Sequence, residues 1–198
     1  MANMSALVKE LREKTGAGIL DCQNALKENE LDVEKSIDFL RQKGLAAAAK
    51  KAGRETKEGL VSAYIHAGNK IGVLLEVNCE TDFVARNEEF QDLVKNLSLQ
   101  IAAADPSCVK REDVTQDVID REKAVYLGQV KEMGKPEAAW DKIIQGKLEK
   151  YFQENCLLEQ TFIKDSNVVI KDLISQKISK LGENISINRF TRYQIGQA

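Results

Sequence analysis

Hydrophobic positions repeat at helical spacing over the first fifty or so residues, and then the period switches to two. Leu7, Val8 and Leu11 fall on one helical face until Thr15-Gly16-Ala17-Gly18 interrupts them, because two glycines in four residues are costly inside a helix. A second helix starts near Ile19, sets Cys22, Ala25 and Leu26 on one face and stops at Asn29-Glu30. Asp32 is the predicted N-cap of a third helix that buries Val33, Ile37 and either Phe39 or Leu40, with Gly44 as its C′ residue. Residues 45–52 have high helix propensity, whereas Gly53-Arg54-Glu55-Thr56-Lys57-Glu58-Gly59 is charged and almost free of apolar groups. The pattern therefore predicts a helical domain over 1–53, a linker over 54–58 and a second domain over 59–198.

Alternation marks Leu60 to His66 and Ile71 to Cys79 as two strands joined by the Ala67-Gly68-Asn69-Lys70 turn, a β-hairpin. Helical periodicity returns with Phe90, Leu93, Val94, Leu97 and Ile101, ending before Asp105-Pro106. Another helix runs through Val118, Ile119, Val125, Tyr126, Val130 and Met133 to Gly134, and Pro136 opens the next, which carries Trp140, Ile143, Ile144, Leu148, Tyr151 and Phe152. A short strand is expected from Leu157 to Ile163 and a helix from Val168 to Leu181, closed by Gly182. Ile185 to Ile195 alternates as a third main strand. Since a lone hairpin is marginal, that strand pairs with it, giving an α+β fold: a three-helix bundle followed by a core with a three-stranded antiparallel sheet packed with helices. An apolar edge or face left open on that sheet would be covered by a second copy of the chain.

Composition narrows the function. The 198 residues are 43% hydrophobic and 30% charged, ordinary for a globular protein that folds without a cofactor. Lys and Arg number 29 against 31 Asp and Glu, so no global field recruits nucleic acid or an anionic membrane, and a partner is recognised by shape. No apolar run approaches a membrane span, and Met1 to Ser5 lacks the basic and apolar regions of a leader, so the expected location is the cytoplasm. Cys22, Cys79, Cys108 and Cys156 are too widely spaced for metal chemistry with His66 as the one imidazole; they read as reduced, small hydrophobes, with no disulfide and no metal assigned. A thiol enzyme built on Cys79 and His66 would need those side chains to converge, and no nucleophile elbow, P-loop or dinucleotide motif is present.

The stretch Thr81-Asp82-Phe83-Val84-Ala85-Arg86-Asn87 stands out because it follows a buried strand directly and carries a carboxylate beside an aromatic ring. Two readings apply to each residue. Asp82 is either the N-cap of one helical turn, ahead of a longer helix capped by Asn87, or a partner-facing acid. Phe83 is either a core ring beneath that turn or a wedge for a partner.

Two long stretches, Val8 to Cys22 and His66 to Asn87, resemble the signatures of the translation elongation factor Ts family in order and spacing, and the likeness continues through Gly134-Lys135-Pro136 to the terminal Arg189-Phe190 strand. The resemblance implies a guanine-nucleotide exchange factor for elongation factor Tu, free of covalent chemistry and of cofactors. It implies a ubiquitin-associated-like (UBA-like) helical domain followed by the core, in which Thr81, Asp82, Phe83 and Val84 enter the partner's nucleotide-binding domain. Phe83 would insert between helices and disturb the magnesium and phosphate site. Arg12, Ile19 and Leu20 match positions that dock on the same domain of the GTPase, with Ile19 and Leu20 standing where some relatives carry methionine. A single hairpin and a single three-strand set resemble the short form, which implies a homodimer and a two-plus-two complex with GDP-bound or nucleotide-free partner. A protein-interaction adaptor with no effect on nucleotide is the rival reading.

Overall fold

The structure, a computed structural model, describes residues 4–134 and 136–197; Met1 to Asn3, part of the leader reading, and Lys135 of the Gly134-Lys135-Pro136 step lie outside the described residues. In chain order the elements are α1 (Met4–Thr15), α2 (Ile19–Glu28), α3 (Val33–Lys51), β1 (Glu58–Ile65), β2 (Ile71–Cys79), α4 (Asp82–Ala85), α5 (Glu88–Ala104), α6 (Gln116–Glu132), α7 (Trp140–Asn155), β3 (Thr161–Phe162), β4 (Asp165–Val169), α8 (Ile170–Leu181) and β5 (Ile185–Gln194). The three-stranded antiparallel sheet has the order β1-β2-β5, and β3 pairs with β4. Contacts divide the chain into two compact units, each assembled from several segments of sequence.

One unit holds residues up to Gly59, 78–93 and 172–186. Gly16 ends α1 in the left-handed region at φ 66°, with its N–H on the Arg12 carbonyl at 2.8 Å. The Asp32 carboxylate caps α3 by accepting from the Lys35 N–H at 3.0 Å. Val8, Leu11, Cys22, Ala25 and Leu26 form the buried centre of the bundle, and both Phe39 and Leu40 pack against it. Gly44 does not end α3, contrary to the sequence expectation. The Ala-rich stretch behind it propagates the helix to Lys51, and a side chain at Gly44 would meet Ser179 at an ordinary 3.7 Å. Within the same unit, Arg41 pairs with Asp172, and the Lys51 ammonium reaches the Ile178 carbonyl at 3.5 Å. Residues ahead of β1 are also tied: the Arg54 carbonyl accepts from Asn184 Nδ2 at 2.9 Å, and the Thr56 and Ser186 hydroxyls are 3.0 Å apart.

The other unit holds residues 60–77, 94–171 and 187 onward. Here β2 alternates as expected, burying Val73, Leu75 and Val77, and Val94, Leu97 and Ile101 of α5 are buried too. The α6–α7 hairpin closes on Leu148, Phe152 and Cys156, and Arg111 stacks over the Phe152 ring at 4.7 Å while bridging Glu149 and Glu159. The expected strand over Leu157–Ile163 is mostly a tight turn at Leu157–Glu159, with only Thr161–Phe162 extended. Residues 168 and 169 belong to β4 rather than to the helix, which starts at Ile170: Val168 and Val169 are β-branched and extend as readily as they coil. Among the described residues no helix is long and apolar enough to cross a membrane.

Glu89, in the first turn of α5, receives Lys177 and, at 2.6 Å, Lys180 from α8. Hydrogen bonds from Lys177 and then Lys180 hold its carboxyl at about 2, below the ordinary 4.5. A depressed carboxyl pKa stabilises the fold above the unfolded value, and that contribution is lost as pH falls from about 4.5 through about 2. Urea unfolding across this window is expected to show a steeper loss of stability for wild type than for Glu89→Gln; parallel curves would remove Glu89 from the acid response.

Candidate functional site

β2 ends in a four-residue helix because Thr81 stops the strand and starts α4. Its backbone is extended (φ −130°, ψ 156°) and its hydroxyl accepts from the Val84 N–H at 3.4 Å. Thr81, rather than Asp82, is therefore the N-cap. A single carboxylate secures this junction. Glu183 Oε2 accepts from the backbone N–H groups of Glu80 and Thr81 at 3.1 and 3.0 Å, and Oε1 accepts from the Thr81 hydroxyl at 2.6 Å. Glu80 in turn accepts from the Asn184 N–H at 2.6 Å and pairs with Arg54 at 3.4 Å. Ala85 turns inward and is buried, Val84 is half-buried, and Asn87 Oδ1 accepts from the Glu89 N–H at 2.8 Å as α5 begins.

Phe83 is 80% exposed, so the core-ring reading fails. Burying such a ring against a partner contributes about 1.5–3 kcal/mol, which its own chain does not collect. Asp82 is half-buried and paired with Arg86 one helical turn on, at 2.8 Å. Exposed pairs of this kind are worth about 0–1 kcal/mol, so the carboxylate is cheaply released to another cation or donor. Arg12, Ile19 and Leu20 belong to the same compact unit as the 81–84 tip. Ile19 is 51% and Leu20 74% exposed, away from the bundle core, because both precede the first inward-facing position of α2 at Cys22. Arg12 and Ile19 line one open groove with Met4, Val8 and Gln23, and Leu20 stands outside it.

Glu183 was invisible to sequence reasoning. It lies between a helix-closing glycine and a strand, where surface acids are common, and no periodicity links it to Thr81 across a hundred residues. Cys79 and His66 stand at opposite ends of β2: the His66 N–H bonds the Ile71 carbonyl at 2.9 Å, its ring meets the Tyr64 hydroxyl at 2.9 Å, and Cys79 closes the strand. The Cys79 thiol is buried, donates to the Thr81 carbonyl at 3.1 Å, and is pushed up to about 11 by burial and then by the Glu183 carboxylate. Both effects disfavour the thiolate, the nucleophilic form. Among the described residues, no group of three or more His, Cys, Asp and Glu side chains is placed to hold a metal ion.

Cys79 and His66 are thus not brought together as a nucleophile and base. A family model described as Elongation factor TS matches residues 47–197, a span that includes the Thr81–Val84 tip. The chain is 59% identical over 191 residues to the elongation factor Ts of Fervidobacterium nodosum, covering 96% of this chain and 97% of that relative. It is 58% identical over 190 residues to that of Caldanaerobacter subterraneus subsp. tengcongensis, covering 96% and 95%. With the elongation factor Ts of Desulfosudis oleivorans it shares 53% identity over 198 residues and the full length of both chains. The chain belongs to the elongation factor Ts family.

Proposed function

We propose that this protein is a guanine-nucleotide exchange factor for the translation GTPase elongation factor Tu, working in the cytoplasm by protein–protein binding alone. It makes no direct contact with nucleic acid or membrane. Residues 1–53 act as the docking domain through Arg12, Ile19 and Leu20, residues 54–58 as the connection, and residues 59–198 as the core. Thr81, Asp82, Phe83 and Val84 enter the partner near its magnesium–nucleotide site. The observation that carries this reading is the exposure of Phe83 at 80% on a helix too short to hold itself, yet fixed by Glu183.

The thermodynamics follow from linkage. Such a factor weakens GDP binding only by as much as GDP weakens its own binding, and a coupling of about 3 kcal/mol corresponds to roughly 150-fold. One aromatic anchor filling an apolar slot supplies about 2–4 kcal/mol. An ordered tip matters because the loop then loses little entropy on docking, so the ring's burial is available to distort the partner. Both GDP-bound and nucleotide-free partner bind, the second more tightly.

A homodimer through the core, giving a two-plus-two complex, is supported by the outer face of the sheet. Val61, Ile65, Leu74, Tyr193 and Ile195 are all exposed there, and β1 is an edge strand; Glu76 forms a polar border with Arg189 and Asn188, each at 2.8 Å. Large exposed apolar patches are unusual on a monomer.

Stopped-flow release of a fluorescent GDP analogue from elongation factor Tu tests the exchange reading. Wild type is expected to accelerate release, and Phe83→Ala to lose roughly 30-fold or more of that acceleration while still binding in a pull-down. Binding without acceleration by wild type would leave an adaptor. For the dimer, sedimentation equilibrium is expected to give twice the chain mass for wild type and the single-chain mass for Val61→Lys/Ile65→Lys; a monomeric wild type at micromolar concentration would contradict it.

A further inference from the structure

Two of the four cysteines, assigned no pairing by their spacing, meet at the base of the α6–α7 hairpin. Cys108 lies ahead of α6, and Cys156 directly follows α7. Their backbones form an isolated parallel bridge, with the Leu157 N–H on the Cys108 carbonyl at 2.9 Å, the Leu158 N–H on the Val109 carbonyl at 3.0 Å and the Ser107 N–H on the Asn155 carbonyl at 2.9 Å. The thiol of Cys108 donates to Cys156 Sγ at 3.5 Å. The sulfurs face each other across this bridge, and forming a bond of about 2.05 Å requires them to approach by about 1.5 Å. Access is unequal: Cys156 is fully buried and Cys108 half-exposed. By contrast, Cys22 and Cys79 are buried with their thiols on the backbone carbonyls of Ala17 and Thr81.

We propose that Cys108 and Cys156 form a reversible dithiol–disulfide site, oxidised by low-molecular-weight disulfides, that staples the two ends of the α6–α7 hairpin together. The two thiols are free in this structure. Cys108, the accessible sulfur, attacks the reagent disulfide, forms a mixed disulfide and expels one small thiolate. Cys156 then attacks Cys108 Sγ, forms the intramolecular S–S bond and expels the second. Two electrons pass from the cysteine pair to the reagent disulfide, and the two cysteine protons end on the two released thiols. Exposure sets the order: the half-exposed Cys108 reacts first and the fully buried Cys156, whose thiol burial and then the hydrogen bond from Cys108 push up, resolves. Because the closed loop contains both helices of the hairpin, the bond restricts the unfolded chain and stabilises the folded one.

The test uses the full chain incubated with glutathione disulfide, then alkylated and weighed by mass spectrometry under denaturing, non-reducing conditions. Oxidised wild type is expected to retain two alkylatable thiols of four, to yield a peptide linking Cys108 to Cys156, and to melt roughly 5 °C higher or more, all reversed by dithiothreitol. Cys156→Ser is expected to stall as a mixed disulfide on Cys108, one glutathionyl group heavier, and Cys108→Ser to take up no label. Four thiols still open in oxidised wild type, a persistent glutathionyl adduct on it, or a bond joining two chains or using Cys22 or Cys79 would each overturn the proposal. The wild-type measurement decides the matter even if a serine variant fails to fold.

Discussion

The Glu183 carboxylate is the interaction on which the presentation of the tip depends. A strand that ends in a four-residue helix has two unsatisfied backbone donors at the junction and too few turns to stabilise itself. Glu183 takes both donors and the Thr81 hydroxyl, and the Thr81 oxygen then holds the Val84 N–H, so one side chain organises the start of the turn. Hydrogen bonds to a charged acceptor are worth about 1.5–3 kcal/mol each, against about 1 for neutral pairs. The same charge adds to burial in raising the neighbouring Cys79 thiol.

Apolar exposure is the second theme. Phe83, Leu20 and Ile19 lie on one compact unit, whereas Val61, Leu74 and Tyr193 lie on the other, and all are exposed. Solitary exposed hydrophobics are unremarkable, but a ring held outward by a charged clamp, beside a carboxylate in a labile ion pair, is an arrangement that stability alone would not select. Four-fifths of the Phe83 surface is left uncovered by its own chain. On the proposed function, that unburied surface is what a partner would cover.

Much of this was legible in the pattern of residues, and the exceptions have physical reasons. The hairpin, α5 and β5 could be read because one face of each is more covered than the other and a period survives in the sequence. The two central faces, Val73, Leu75, Val77 and Leu93, Leu97, Ile101, are buried as their spacing requires. The end of α3 was misjudged because glycine costs a helix only about 1 kcal/mol, which the following alanines offset. β4 escaped notice since its half-exposed valines merge with the helical pattern of α8. At the tip, four residues contain no period, so periodicity left Phe83 between core ring and wedge; only the family resemblance chose the wedge, and the exposure of the ring agrees with that choice. Glu183 and the Cys108–Cys156 contact join residues far apart in the chain, and single-sequence patterns carry no signal for either.

The most direct measurement is the rate of GDP release from elongation factor Tu driven by Glu183→Ala, a variant in which Phe83 and Asp82 are untouched. If a fixed tip is what converts binding into release, a folded Glu183→Ala chain will bind the GTPase yet lose most of its acceleration. Release at the wild-type rate would show that Phe83 needs no clamp, and the account of how this structure acts would be wrong.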